Sequence, residues 1–316
     1  MEKFIHDLLS EEIIKEALSF YNVSNYKNLG GFENFVFEFE STSGFYILRL
    51  SHSSHRGYKQ VASELDFIYY LAQNHANVVI PIRNINDNFI EKIACKDGSY
   101  FTVAAFEKAR GQRPTKDLIN NEMIINYGKT IGRFHKLTKD YQPNENIEKR
   151  FSWDNDVLFN TIGSFLKEED QLIYEGFLDL KNKILALPKT IDNYGLLHTD
   201  VHFGNFFIDN NDLCVFDFDD SSYQYFISDI AIALFYYISS QHDDEVRVSR
   251  ADNFMSYFMN GYLQENYLSK DDYMRIDLFL KLREYVLYFV IFRSCDLETD
   301  EWAKRFIGFY RNRLIE

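Results

Sequence analysis

The chain has 316 residues, 46% of them apolar and 17% aromatic, enough to bury a substantial core and too greasy for a disordered polymer. Its formal net charge of -14 argues against general attraction to nucleic acid or an anionic membrane surface, and suits a cationic small-molecule partner better. Three cysteines (Cys95, Cys214, Cys295) lie far apart without paired spacing, which excludes a disulfide framework or a zinc ribbon and favours a reducing compartment. The apolar stretches are too short or too interrupted to span a bilayer, so the expected setting is cytoplasmic, with no membrane partner.

Along the chain, residues 2–20 place Phe4, Ile5, Leu8, Leu9, Ile13, Ile14, Ala17 and Leu18 at helical spacing, which predicts one amphipathic helix. The period then changes. "NFVFEFE" and "FYILRLS" are aromatic and β-branched runs around "STSG", the pattern of a hairpin. "HSSH" at 52–55 reads as a solvated turn, since no further ligand-type residue stands near it in sequence. "VASELDFIYYLAQN" returns to helical spacing, and "NFIEKIACKDGSYFTVAAF" predicts two strands around Asp97-Gly98. After "EKARGQRP" helical periods dominate residues 116–187 and 223–315. They are interrupted by "LLHTDVHFGNFFID", a strand, turn and strand, and by "LCVFDFDD", read as a further strand that carries Asp217. Alternation along such a strand places Asp219 on the same face as Asp217. The outline is α+β, with a small β-rich lobe over 1–108 and a larger helical lobe over 109–316.

The polar centre of "LLHTDVHFGNFFID" admits two chemistries. His198 and His202 are four apart, but zinc-protease histidines need that spacing on a helix with glutamate after the first, and here Thr199 follows between strand-like flanks. The other reading is His198-x-Asp200-x4-Asn205, with Asp217 twelve residues after Asn205. Phosphoryl transfer needs a carboxylate to orient the attacking hydroxyl and hard oxygen donors to hold Mg²⁺ on the phosphates, and aspartate and asparagine supply both. Upstream, Gly30 and Gly31 in "LGGFENFVF" leave backbone N–H groups bare at a strand end, where phosphates can approach.

These pieces occur in a recognisable order: "GGFENFVFEF", "YILRLS", the helix with Glu64, "FTVAAFEKARGQ", "IGRFHKLT", "LLHTDVHFGN", "VFDFDD" and "SDIAIALFY". In them the chain resembles the aminoglycoside phosphotransferase and choline kinase superfamily, small-molecule kinases that share the two-lobed protein-kinase fold. The resemblance covers about residues 26–240, and its specific part is the pair "HTDVHFGN" and "VFDFDD". It implies ATP (or GTP) and Mg²⁺ as cofactors, Asp200 as the catalytic carboxylate, and Asn205 and Asp217 as the metal ligands. It implies that the turn at Gly30 and Gly31 covers the phosphates and that Glu64 pairs with the basic residue of the third strand. The connection that includes Ala105 and Glu107 would present backbone to adenine, with His198 and Asp229 in support of the loop. Asp219, by its alternation with Asp217, is a candidate second ligand or substrate contact in support of the site. One position departs: the third-strand residue that is often lysine is Arg49, longer, planar and forked. That departure keeps a nucleotide-binding sensor without transfer activity as the rival to an alcohol phosphotransferase. In this superfamily C-terminal helices bind the acceptor, and the acidic excess of residues 241–302 suits a hydroxylated, amine-bearing one such as an aminoglycoside or another amino alcohol.

Overall fold

A computed structural model describes residues 3–239 and 243–315. The chain begins with α1 (Lys3–Leu8) and α2 (Glu11–Ser19), then runs β1 (Tyr26–Gly30), β2 (Phe35–Ser41), β3 (Gly44–His52), α3 (Tyr58–Gln73), β4 (Pro81–Ile82), β5 (Ile90–Ala94) and β6 (Tyr100–Glu107). It continues through α4 (Asn121–Thr138), α5 (Val157–Phe165), α6 (Gln171–Leu185), β7 (Tyr194–Leu197), β8 (Phe206–Asp209), β9 (Asp212–Val215) and β10 (Ser222–Tyr225). Helices α7 (Phe226–Ile238), α8 (Asp244–Glu265), α9 (Lys270–Tyr273), α10 (Ile276–Ser294) and α11 (Glu301–Ile315) complete it. The described residues form two compact units: one runs up to Pro114 and adds Asp140–Arg150 and Asn205–Asp219, and the other takes Thr115–Lys139, Phe151–Gly204 and the described residues from Asp220 onward. The α+β class read from the sequence is the one observed. No helix among the described residues is long and apolar enough to cross a membrane.

In the first unit, six strands among the described residues make one antiparallel sheet, ordered β1-β2-β3-β6, with β4 and β5 both pairing β6. Phe37 and Phe39 of β2, Leu48 and Leu50 of β3, and Phe101, Val103 and Ala105 of β6 alternate onto one face, against Ile14, Ala17 and Leu18 of α2. The opposite face of β3 presents Arg49 to α3, which lies between β3 and β4 in the chain, as the pattern predicted. The single helix expected over 2–20 is instead α1 and α2. Ser10 breaks it by accepting the Ile13 N–H at 3.4 Å, a side-chain cap reinforced by Glu11 and Glu12 in the first turn of α2. Asn210 and Asn211, with φ of 52° and 67°, turn β8 into β9 in two residues, the left-handed geometry that a tight hairpin needs. That hairpin joins the unit through Val79 N–H to Val215 O (2.9 Å) and Val215 N–H to Asn77 O (3.0 Å).

In the second unit, α4 and α8 meet backbone to backbone. A Cβ at Gly128 would lie 1.9 Å from Phe258 O, and one at Gly261 would lie 1.8 Å from Ile125 O. Interior helix glycines ordinarily cost about 1 kcal/mol relative to alanine, so these are retained for the approach they allow. Gly261→Ala is therefore expected to destabilise the protein by about 2 kcal/mol or more in urea unfolding. Gly163 of α5 has nothing within 4 Å of a built Cβ, and its alanine variant should be neutral or slightly stabilising.

Candidate active site

The loop that follows β7 is held in an unusual backbone shape. Thr199 has φ of 63°, the left-handed region that a β-branched residue avoids at a cost of about 1–3 kcal/mol. Two bonds hold it there: Asp229 of α7 accepts the Thr199 N–H at 2.9 Å, and Thr199 Oγ1 donates to Asp220 O at 2.6 Å. Asp229 is fully buried and pairs with the equally buried His135 of α4 at 3.3 Å. Burial pulls the His135 pKa below its usual value, so a neutral ring donates to Asp229 from Nε2 and accepts the Tyr262 hydroxyl at Nδ1, 2.9 Å away. His198, also buried, accepts the Asp200 N–H on Nδ1 at 3.3 Å, and the Tyr127 hydroxyl donates to Val201 O. The loop is thereby tied at residues 198, 199, 200 and 201.

Asp200 itself is flanked on both oxygens. Arg283 of α10 bonds Oδ1, and His202 Nε2 lies 3.3 Å from Oδ2. His202 Nδ1 accepts the Gly204 N–H at 2.9 Å, which leaves the proton on Nε2 and aims it at Asp200. Burial pushes the Asp200 carboxyl up, but the Arg283 guanidinium, with His202 and His198, outweighs it and holds the pKa at about 2. Asp200 is thus ionised at neutral pH. Both loop histidines spend Nδ1 on backbone N–H groups of the loop itself. Sequence reasoning left His202 without a role and missed Arg283 and Tyr236, whose partners are distant in the chain.

The first unit carries the remaining expected residues. Arg49 grips Glu64 with two bonds, 2.8 and 2.6 Å, and Glu64 is 0% exposed. Burial disfavours the Arg49 cation, but Glu64 outweighs this and keeps it charged, and its Nη1 also lies 3.9 Å from Asp217 Oδ1. Asp217 is not within a strand, contrary to the reading of "LCVFDFDD". β9 ends at Val215, and Asp217, with φ of 67°, has left the pleat. Alternation therefore does not carry Asp219 to the same face. Asp217 is about half exposed, whereas Asp219 is buried. Asn205 is brought to the end of this strand by the Phe216 N–H, which donates to Asn205 O at 2.9 Å.

Asp219 is the hub of a polar clasp. It accepts from His55 Nε2 at 2.5 Å and from Asn34 Nδ2 at 3.2 Å, and its carbonyl accepts Arg56 and Arg150. His55 also lies 3.3 Å from Glu33. Burial draws the His55 pKa down, but Asp219 outweighs it and the pKa is raised, favouring an imidazolium counter-charge. The "HSSH" turn is accordingly not solvated: His55 serves this clasp, and His52, 3% exposed, bonds Ser54 and Ser99. The clasp reaches the glycine turn. Gly31 has φ of 148°, and a Cβ there would lie 1.9 Å from Asn34 O, so only glycine closes this turn. Gly30, with φ of 81°, ends β1. Ala105 lies in the ladder of β6 between Leu48 and Ile82, and Glu107 ends that strand with its N–H given to Ile80 O at 2.9 Å.

The donor set suits a hard divalent cation. Asn205 and the half-exposed Asp217 offer amide and carboxylate oxygens, with no thiolate or imidazole among them. Comparison with known proteins extends the match beyond these residues. A profile described as the phosphotransferase enzyme family matches residues 27–267. Amicoumacin kinase of Bacillus subtilis (strain 168) is 31% identical over 319 residues, covering 99% of this chain and 93% of that protein. Among solved structures, amicoumacin kinase hAmiN in complex with AMP-PNP, Ca²⁺ and Ami has a TM-score of 0.93 at 28% identity, over 100% of this chain and 96% of that one. A microcompartment-associated aminopropanol kinase shares the fold, with a TM-score of 0.77 at 20% identity over 97% and 95%. The resemblance first visible in short motifs thus runs through nearly the whole protein, and the chain belongs to the phosphotransferase enzyme family.

Proposed function

We propose that the protein transfers the γ-phosphoryl group of ATP to a hydroxyl of a small molecule, with amicoumacin as the first acceptor to test. The observation that carries this reading is the near full-length likeness to an amicoumacin kinase solved with AMP-PNP, Ca²⁺ and Ami. Residues 1–108 would serve mainly the nucleotide and 109–316 the acceptor.

In this mechanism Asp200 receives the hydrogen bond of the acceptor hydroxyl and aligns its oxygen with the γ-phosphorus. As the new O–P bond forms and the bond to the β-phosphate oxygen breaks, the hydroxyl proton passes to Asp200 and then to solvent. A carboxylate held at about 2 is a weak base, so its contribution is mainly orientation and late proton acceptance. His198, Thr199 and Asp229 fix the loop that carries it, and the Asp219 clasp fixes the glycine turn. Asn205 and Asp217 would hold Mg²⁺, which neutralises phosphate charge when bound. Arg49, oriented by Glu64, adds a fixed positive charge to the phosphates. The turn at Gly30 and Gly31, held by the Gly30 N–H given to Asn28 Oδ1 at 2.7 Å, would cover the phosphates, and the backbone around Ala105 and Glu107 would lie against the base.

The test is ADP formation and acceptor phosphorylation with amicoumacin and a panel of hydroxylated compounds, using ATP and GTP in parallel, with and without Mg²⁺. Magnesium-dependent transfer, with ATP the better donor, is expected. Nucleotide binding without transfer to any acceptor would establish a sensor instead.

A further inference from the structure

Asp229 holds the Thr199 N–H, but what holds Asp229 lies farther out, on α8. The Asp229 carboxyl is fully buried, and its second oxygen faces a neutral histidine rather than a cation. A buried carboxyl oxygen in that position depends on receiving a proton donor. His135 supplies one only in the tautomer that carries its proton on Nε2; the other tautomer turns a lone pair on Asp229. That choice is made at Nδ1, which meets the Tyr262 hydroxyl 2.9 Å away. A tyrosine hydroxyl can donate or accept, so its own direction has to be set. Asn266, at the C-terminal end of α8, sets it. Its Nδ2 donates to the Tyr262 hydroxyl oxygen at 2.9 Å, and its backbone N–H donates to Tyr262 O at 3.0 Å. With its oxygen taking the Asn266 amide proton, the hydroxyl turns its own proton to His135. The hydrogen bonds thus run in one direction, from Asn266 through Tyr262 and His135 to Asp229.

The close approach of α4 and α8 brings these groups within reach. A Cβ at Gly132 would lie 2.7 Å from Tyr262 O, and one at Gly128 would lie 2.9 Å from Tyr262 N. A side chain at either position would push Tyr262 away from His135. The imidazole is not free to follow, because it stacks on Phe226 of α7 with ring centres 4.6 Å apart and planes 18° from parallel. Asn266, Tyr262, His135 and Asp229 are all buried. We propose that Tyr262, oriented by Asn266, is a positioning residue for phosphoryl transfer: through His135 and Asp229 it holds Thr199 in its left-handed conformation and so fixes the bearing of Asp200. This rests on the reading of Asp200 as the residue that receives the acceptor hydroxyl. Without the donor at Nδ1, the ring no longer has one preferred tautomer and Asp229 loses its fixed partner. Thr199 then loses the anchor that offsets its backbone strain. A displacement of about 1 Å at the reacting group slows a reaction about a hundredfold. The nucleotide contacts proposed for the first unit do not draw on these residues, so the effect falls on kcat.

The decisive variant is Tyr262→Phe, which removes the hydroxyl and keeps the ring. It is expected to lower kcat by about tenfold or more, with KM for ATP within about twofold of wild type. Hydrogen exchange at the Thr199 and Asp200 amides should quicken by about tenfold in the same variant. Tyr288→Phe is the control, since it deletes an equally buried hydroxyl that donates to Asp170 Oδ1 at 2.7 Å. There kcat and loop exchange should stay within about twofold of wild type. In the His135→Gln background, where an amide donor to Asp229 needs no tautomer, adding Tyr262→Phe should cost less than about threefold. An unchanged kcat in Tyr262→Phe, an equal loss in Tyr288→Phe, or the full effect persisting in the His135→Gln background would each overturn the proposal. If Tyr262→Phe does not fold, ¹⁵N spectra of the wild-type protein decide, with His135 identified by its absence in His135→Gln. A neutral ring protonated at Nε2 is expected at pH 7, and a proton on Nδ1 would overturn the proposal. Absence of wild-type transfer to every acceptor, amicoumacin included, would instead defeat the phosphotransferase reading, while the exchange and ¹⁵N measurements would still test the link from Tyr262 to the loop.

Discussion

Asp200→Asn is expected to slow phosphoryl transfer by about a thousandfold while changing ATP affinity by less than about threefold. The amide can still accept a hydrogen bond, but it cannot take the hydroxyl proton. Transfer measured as acceptor phosphorylation, with ATP binding followed by calorimetry, separates the two effects. Activity above a tenth of wild type would end the assignment of Asp200. The variant should also be less stable, because Arg283 loses its counter-charge. A carboxyl held at about 2 against an ordinary 3.8 contributes about 2 kcal/mol at neutral pH. The sign follows from the lowered pKa: this stability is present above about pH 4 and is lost as the pH falls through about 2. The deficit of the variant in chemical denaturation should therefore shrink to about half at pH 3. A deficit independent of pH would mean that the Arg283 pair is not its source.

Removing one partner of the Arg49–Glu64 pair is expected to have the larger effect on stability. Arg49→Met or Glu64→Leu should each cost about 3–5 kcal/mol, because either leaves a buried charge without compensation. The double variant should recover much of that loss, since two apolar side chains replace two desolvated ions. ATP binding should not recover with it, because the fixed charge proposed to meet the phosphates is gone in Arg49→Met and in the double variant alike. Denaturation and ATP titration of the four proteins in this cycle separate a structural pair from a nucleotide contact. Recovery of ATP affinity in the double variant would remove Arg49 from the phosphate site. Arg49→Lys should fall between, keeping the charge but losing the two-pronged grip on Glu64.

Much of the architecture was legible in local patterns. The alternation in "NFVFEFE" and "FYILRLS" predicted β2 and β3 because successive side chains of a strand take opposite faces. Asp97-Gly98 marked the turn between β5 and β6, and the structure places Gly98 at φ of 88°. Two local readings failed for local reasons. Ser10 could have been recognised as a cap interrupting the first helical pattern, since Glu11 and Glu12 follow it. "LCVFDFDD" kept its alternation past the strand's end, because nothing in that pattern signals the left-handed residue at 217.

By itself, then, the sequence determined the α+β class, the order of the elements and the segments holding Asp200, Asn205 and Asp217. These depend on side-chain period, turn chemistry and spacing, all of which act over a few neighbouring residues. Only the tertiary structure decided what surrounds those residues. Arg283 reaches Asp200 across 83 positions, His55 reaches Asp219 across 164, and His135 reaches Asp229 across 94. An arginine within a helix, or a histidine in a polar turn, carries no local mark of such a partner. Its role follows from which chain segments fold against it, and from the need of each buried charge for an opposite charge or a hydrogen bond. That need is what turned "HSSH" from a solvated turn into a clasp on Asp219, and a C-terminal arginine into the neighbour of Asp200.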